Sequence, residues 1–231
     1  MAKGFFVTGT DTGIGKTTVS CALLHAFAAQ GKTVVGMKPT VAGSENGQWM
    51  DVELLLAASN VNVSRQHINP YAFDPPVSPH IAAQQAGTEI DLAVIHRAYL
   101  ELSKQAEIVV VEGAGGFLVP INQRQNGANL AQTLNLPVIL VVGMRLGCLN
   151  HALLTAQAIR ATGLILAGWV ANCMDPQMLA LEKNIETLEQ RLDCPLLGVL
   201  PFDDEMNKQK SAGLLDIEKL AILDQSSKNS L

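Results

Sequence analysis

Continuous apolar runs alternate along this chain with runs in which apolar residues recur at helical spacing. The continuous runs are rich in β-branched and aromatic side chains and fall at positions 4–8, 33–37, 108–111, 138–142 and 166–170, with a shorter one at 196–200. Apolar toward both faces, they predict buried strands. The second kind carries apolar residues every third or fourth position and predicts helices over 18–30, 52–58, 92–105, 150–162 and 177–192. This alternation of strand and helix defines an α/β fold, a mainly parallel sheet with helices on both faces. Ligands collect at the carboxyl ends of parallel strands, so residues that directly follow each run are the first candidates for chemistry. Positions 68–80 (INPYAFDPPVSPH) are too rich in proline for regular structure and predict a long loop. The polar stretch 225–231 predicts a fraying tail behind a single domain over 1–224.

Composition narrows the setting. The chain has 231 residues, the length of one large α/β domain, and a hydrophobic content of 48% is ample to fill its core. A net charge of −5, with only 16% charged residues, gives no general attraction to nucleic acid or to an anionic membrane. Any polyanion is therefore expected to be bound locally. Cys21, Cys148, Cys173 and Cys194 are far apart and form no C-x-x-C pair, which suggests neither a zinc site nor a disulfide framework. Buried free thiols in a reducing compartment are expected instead. Met1-Ala2-Lys3 leads straight into a strand without a signal-peptide core, and the longest apolar runs are too short to span a bilayer. The expectation is a cytoplasmic enzyme.

Candidate chemistry concentrates at residues 9–18, GTDTGIGKTT, between the first strand and the first helix. A Gly-rich turn at that junction lets the backbone N–H groups of Gly13, Ile14, Gly15, Lys16, Thr17 and Thr18 face phosphate oxygens, while the helix N-terminus adds positive potential. Lys16 supplies a mobile charge and Thr17 a hydroxyl for Mg²⁺. The spacing is G-x5-GKT, one residue longer than the usual phosphate-loop pattern. Two further strand ends carry charge. Lys38 follows the second strand and precedes Pro39; Glu112 follows Ile108-Val109-Val110-Val111 and precedes Gly113-Ala114-Gly115. An acid after four apolar strand residues suits a group on Mg²⁺ or its water, and the glycines allow close backbone approach. Asp51 stands just before an apolar helical run and offers a third oxygen. Alone, it would read as a helix cap. With Lys16 and Glu112, it completes a set of Thr17, Asp51 and Glu112 suited to Mg²⁺, which takes a few protein oxygens beside water and phosphate.

Beyond these features the chain resembles the dethiobiotin synthetases of the biotin pathway. The matching segments are FVTGTDTGIGKT (6–17), GMKP (36–39), VVVEGAGG (109–116), LPVILVVGMRLGCLNHALLTAQAI (136–159) and LAGWVAN (166–172). They run from the first strand to about Phe202, and the long G-x5-GKT spacing is that family's form. The resemblance implies a seven-stranded parallel sheet of the P-loop type, related to the deviant-Walker ATPases, in a homodimer. It implies an ATP-dependent reaction in which CO2 joins diaminopelargonic acid as a carbamate, ATP phosphorylates the carbamate, and the second amine closes the cyclic urea. Lys16 and Lys38 would be catalytic. Asn172 would read adenine, with Pro201, Phe202 and Asp203 bordering the base. Thr12, Lys38 and Ala42, with the 39–43 loop, would lie beside the diamine, and Ser78-Pro79-His80 would line its site. Gly147, Cys148, Leu149 and Asn150 would reach the diamine bound to a second subunit. Asn150 also reads as an ordinary helix cap. Relatives often carry serine where this chain has Ala42, and Ser44 is near but out of register. Two alternatives remain open from sequence: a paralogous ATP-dependent carboxylase or ligase acting on a related amine, and a deviant-Walker regulatory ATPase.

Overall fold

The computed structural model describes residues 2–202 and 213–220. In chain order these form β1 (Lys3–Gly9), α1 (Lys16–Ala29), β2 (Val34–Met37), β3 (Thr40–Ala42), α2 (Met50–Ala58), α3 (Arg65–Ile68), β4 (Tyr71–Phe73), α4 (Pro79–Gln85), α5 (Leu92–Ser103), β5 (Ile108–Gly116), α6 (Gly127–Leu134), β6 (Val138–Met144), α7 (Cys148–Ala161), β7 (Leu166–Cys173), α8 (Leu181–Arg191), β8 (Leu196–Leu200) and a 3-10 turn at Ile217–Leu220. Six strands build one parallel sheet in the order β2-β5-β1-β6-β7-β8. β1 sits between β5 and β6, so the chain leaves it at a point where the strand order reverses. A crevice forms there.

Strand periodicity sorts the core into layers. Phe6, Val109 and Val111 point into one layer with Ile95 and Leu102 of α5 and Leu130 of α6. Phe5, Ile108 and Val110 point the other way, onto Leu23 and Leu24 of α1. Successive side chains of a strand take opposite faces, and both faces here are covered, which is why these strands read as unbroken apolar runs. Leu23, Leu24 and Val110 are wholly buried, and burying side chains of this size stabilises by roughly 1.5–3 kcal/mol each. Gly36 on β2 brings α2 close: a Cβ there would lie 2.9 Å from Leu55 Cβ. That close approach sets α2, and Asp51 on it, against the carboxyl end of β2.

Several sequence expectations are corrected. The main sheet has six strands among the described residues, against the seven implied by the resemblance. β3 and β4 instead pair with each other in a separate two-stranded parallel sheet. Pro39 has no N–H with which to continue the ladder of β2, so the chain leaves the main sheet at this point. The 39–43 segment is thus largely a strand. Positions 68–80 are not one loop: they contain β4 and the start of α4. The prolines bracket these elements instead of excluding them, with Pro79 in the first turn of α4, where the missing N–H costs nothing. β5 continues through Gly116, so Glu112 and the glycines after it lie within a strand. α7 begins at Cys148, with Gly147 as its N-cap, and Asn150 therefore lies in the first turn and does not cap it. α6, capped by reciprocal hydrogen bonds between Asn126 and Asn129, falls between the predicted elements. The 225–231 tail lies outside the described residues.

Candidate active site

The phosphate loop spans the gap between β1 and α1. Gly13 and Gly15 both have left-handed backbone, φ 72° and 85°, which glycine adopts without strain. Gly15 serves as the N-cap of α1, and Lys16, Thr17 and Thr18 open the helix, where N–H groups have no partner within it. Lys16 is buried and its Nζ donates to the Asp11 carbonyl at 2.8 Å, curling the side chain back over the loop. Asp11 closes the loop mouth: its carboxylate accepts from Thr12 N at 2.7 Å and from Arg145 at 2.5 Å. Sequence reading passed over Asp11 and Arg145, which are 134 positions apart and have no local pattern linking them.

Lys38 lies where β2 ends, and its ammonium is buried between two acids. Nζ is 2.5 Å from Glu112 Oε1 and 2.8 Å from Asp51 Oδ2. Glu112 Oε1 also accepts from Thr17 Oγ1 at 2.9 Å. Thus Thr17 of α1, Asp51 of α2, Glu112 of β5 and Lys38 from the junction after β2 meet at one point beside the phosphate loop. Asp51 is not a cap, because α2 begins at Met50 with Trp49 as its N-cap. The electrostatics differ between the two lysines. Burial, reinforced by the nearby charge of Lys38, lowers Lys16 to about 8. Burial also pushes Lys38 down, but the Glu112 and Asp51 carboxylates outweigh it and hold that ammonium above the ordinary lysine value. Asp51 is pushed up by burial, yet the attraction and hydrogen bond of Lys38 and the Thr17 hydroxyl leave it below the usual carboxylate value.

The donor set can be tested for a metal. Glu112 is almost fully buried, and its Oε2 has no hydrogen-bond partner among the described residues. A buried carboxylate oxygen left unmatched is costly, and a cation would satisfy it. Among the described residues no group of three or more His, Cys, Asp or Glu gathers in the manner of an all-protein metal centre. One hydroxyl and two carboxylates instead match Mg²⁺, which is bound through one or two carboxylates and completed by phosphate and water. The residues fit that ion.

A cleft of about 860 Å³ opens from this point. Thr12, Gly13, Gly15, Lys16, Thr17 and Thr18 line one side with Glu112, Ala114 and Gly115, and Lys38, Asp51 and Leu54 close its base. Thr40, Val41 and Ala42 of β3, with Pro76, Val77, Ser78, Pro79 and Ile81, form the facing wall. Ser44 does not stand in for a hydroxyl at position 42, since it does not line the cleft and its Oγ donates to Asp74 at 2.8 Å instead. His80 is absent from this cleft and borders a separate cavity of about 340 Å³ with Gln84, Thr88 and Asn122. Gly113, the first glycine after Glu112, packs behind the site, where a Cβ would lie 3.1 Å from the Phe6 ring. Asn172, near the end of β7, presses on the phosphate loop: its Nδ2 donates to the Ile14 carbonyl at 2.8 Å, and a Cβ on Gly15 would lie 2.1 Å from it. Pro201 and Phe202 are exposed just after β8, and Asp203 lies outside the described residues. Gly147, Cys148, Leu149 and Asn150 do not line the cleft; Cys148 is buried against α7's own core, and Asn150 is exposed.

Fold and site together define a P-loop α/β protein of the nucleoside-triphosphatase type. A family model described as an AAA domain matches residues 3–210. The MinC:MinD cell division complex of Aquifex aeolicus is similar in structure, with a TM-score of 0.60 over 97% of this chain and 96% of that one; at 15% identity the likeness is one of fold alone. Sequence relatives are closer. The chain is 64% identical over 222 residues, 96% of its length and 98% of the relative's, to the ATP-dependent dethiobiotin synthetase BioD of Nitrosospira multiformis. It is 54% identical over 203 residues, 86% of its length and 90% of the relative's, to the protein of the same name from Aromatoleum aromaticum. The chain belongs to the dethiobiotin synthetase family, and it is an enzyme of the ligase class in biotin biosynthesis. The regulatory ATPase alternative has only the fold likeness behind it.

Proposed function

We propose that the chain uses ATP to join CO2 to diaminopelargonic acid and to close the cyclic urea of dethiobiotin, acting in the cytoplasm as a homodimer. The observation that carries this reading is the buried Lys38, set between Asp51 and Glu112 at the point where the phosphate loop meets the cleft. One amine of the diamine adds to CO2 and loses a proton, giving a carbamate. A carbamate oxygen then attacks the γ-phosphorus as the bond to ADP breaks. Finally, the second amine attacks the carbamoyl carbon and loses a proton, and phosphate leaves with the C–O electron pair. The difficult step brings two anions together, so its barrier contains a large electrostatic part.

The chain's residues address that barrier by charge and position. The N–H groups of Gly13 through Thr18 hold the phosphates, and Lys16 swings from the Asp11 carbonyl onto the β- and γ-phosphates. Lys38, kept protonated by two carboxylates, faces the carbamate and the transferring phosphoryl group. Thr17, Asp51 and Glu112 would hold Mg²⁺, which when bound neutralises charge on the β- and γ-phosphates. No side chain need form a covalent bond; positioning and charge neutralisation suffice. Asn172 would read adenine, with Pro201, Phe202 and Asp203 bordering the base, Ala114 and Gly115 flanking the phosphates and Gly113 supporting them from behind. Thr12 and Ala42 would contact the diamine, whose aliphatic chain suits the apolar wall of Val41, Pro76, Val77 and Ile81. Gly147, Cys148, Leu149 and Asn150, being outside the cleft of their own protomer, would reach the diamine of a second copy.

Two negative expectations accompany this reading, no nucleic-acid and no membrane partner. Among the described residues no helix is long and apolar enough to cross a membrane. Purified protein given the diamine, bicarbonate and Mg-ATP should yield dethiobiotin with one phosphate released per product. Phosphate release without dethiobiotin, or turnover indifferent to the diamine, would refute the assignment.

A further inference from the structure

We propose that Asn69 is a positioning residue for Lys38, holding the lysine's backbone so that its ammonium stays between Asp51 and Glu112; the inference rests on the synthetase reading above. Lys38 stands at a junction. β2 ends at Met37, which pairs with Val111, and β3 begins at Thr40 in a different sheet. Between them Lys38 and Pro39 belong to neither ladder, and Pro39 brings no N–H. The three backbone bonds that the segment makes all go to residues 68–71. Lys38 N donates to the Ile68 carbonyl at 2.9 Å, and Tyr71 N donates to the Pro39 carbonyl at 3.2 Å. The third comes from a side chain: Asn69 Nδ2 donates to the Lys38 carbonyl at 2.6 Å and to the Tyr71 carbonyl at 3.1 Å.

The amide's orientation follows from its partners. Both are carbonyls with no proton to give, so only the NH2 end can face them, and its two hydrogens serve the two acceptors. One planar group therefore ties the peptide of Lys38 to the first residue of β4. A short side chain is needed for this. Asn69 caps the C-terminus of α3 and precedes Pro70, which keeps its backbone out of the helical region at φ −137° and ψ 85°, with the amide against the Lys38 carbonyl. Without the amide, the Lys38 carbonyl loses this partner, and the elbow between the two sheets is held by two hydrogen bonds in place of three. The ammonium at the far end of a four-carbon stem would move with it.

The molecule supplies a control. Asn60 clamps the opposite end of β2 in the same way, accepting from Val34 N at 2.7 Å and donating to the Lys32 carbonyl at 2.9 Å, far from the cleft. In the full chain, Asn69→Ala should lower kcat for dethiobiotin formation by about 10- to 100-fold while leaving KM for ATP within about two-fold. Asn69→Asp keeps the side-chain volume, removes both donors and should act in the same direction. Asn60→Ala should cost similar thermal stability with kcat unchanged. Acetic anhydride labelling of Lys38, read by peptide mass spectrometry, should rise several-fold in both Asn69 variants but not in Asn60→Ala. Wild-type kcat and Lys38 labelling in the Asn69 variants, or equal losses in Asn60→Ala, would overturn the proposal. Should the wild-type protein form no dethiobiotin, the synthetase reading fails separately, and the labelling comparison still decides whether Asn69 places Lys38.

Discussion

One short segment, Thr12 to Thr18, builds most of the phosphate side of the cleft beside Glu112, Ala114 and Gly115, and it does so chiefly with backbone; the facing wall is assembled from β3 and the segment from Pro76 to Ile81, and it does so with side chains. The phosphate side gains its shape from local conformation, above all the left-handed glycines at 13 and 15. The facing wall gains its shape from a second sheet that exists only because β3 finds β4 some thirty positions away. A backbone cradle recognises any polyphosphate and tolerates little change. A side-chain wall recognises one substrate and can be adjusted a residue at a time. Lys38 stands where the two meet, and variants at and around it probe whether the two sides are independent.

The largest effect is expected at that meeting point. Lys38→Met keeps the stem and removes the charge that faces the reacting anions, so kcat should fall by about 1000-fold with KM for ATP little changed. It also leaves the buried Glu112 beside Asp51 with no ammonium between them, which should cost about 3 kcal/mol of stability in chemical denaturation. Added Mg-ATP should restore part of that stability if those carboxylates hold the ion. Steady-state kinetics that showed a raised KM for ATP and an unchanged kcat would place Lys38 on the phosphate side alone.

Gly15→Ala should be next, acting on the phosphate side only. An alanine at φ 85° is strained, and its Cβ would displace Asn172 from the loop it braces. Left-handed strain of roughly 1–2 kcal/mol, together with a lost hydrogen bond of about 1 kcal/mol, predicts ATP binding weakened by about 100-fold in calorimetry. Gly43→Ala offers the matched change across the cleft, since Gly43 is also left-handed, at φ 91°, and its Cβ would meet Pro76 at 3.2 Å. That variant should raise KM for the diamine and spare ATP. Equal damage to ATP binding from both variants would mean that the two sides of the cleft do not act independently.

A smaller effect should follow pH. Lys16, lowered to about 8 by burial and by the charge of Lys38, is protonated below that value in the free protein. A bound polyphosphate favours the charged form and raises its pKa, so binding takes up a proton above about pH 8. ATP affinity should therefore be full below pH 8 and fall by up to about ten-fold per unit above it, until the raised pKa of the complex is reached. Calorimetry at pH 8.5 in buffers of different ionisation heat should show that uptake. Lys16→Arg, which cannot lose its proton in this range, should flatten the profile.

What could be read from the sequence follows the same division. The central strands of the main sheet were legible because they are buried on both faces and read as single apolar runs, as at Val109 to Val111. The phosphate loop was legible because its glycines, lysine and threonine are contiguous. Lys38, Asp51 and Glu112 were recognisable as strand-end or helix-start charges, yet the ion pairs joining them are properties of packing, through the Gly36 contact that draws α2 inward. β3 and β4 were not legible at all. Each has only three residues, and prolines flank both; the hydrogen bonds that make them strands come from each other. Asn69 carried only the weak signal of an Asn-Pro pair, and Trp49, whose Nε1 donates to the Phe73 carbonyl at 2.9 Å and ties α2 to β4, carried none.

The smallest predicted effect tests the facing wall by itself. Ala42 lines the cleft beside Val41 and Ile81, and Ser44, the nearby hydroxyl two positions on, does not line it and donates to Asp74. Ala42→Ser adds one hydroxyl within a strand whose backbone accommodates serine, and one neutral hydrogen bond to the diamine is worth about 0.5–1.5 kcal/mol. KM for the diamine should accordingly fall by about two- to ten-fold, with kcat and KM for ATP unchanged, since the added contact is made equally in the ground and transition states. A change in kcat would mean that position 42 reaches the reacting amines and not just the body of the substrate. A change in ATP affinity would mean that β3 transmits its position to the phosphate loop through Lys38, and the two sides of the cleft would then have to be treated as one.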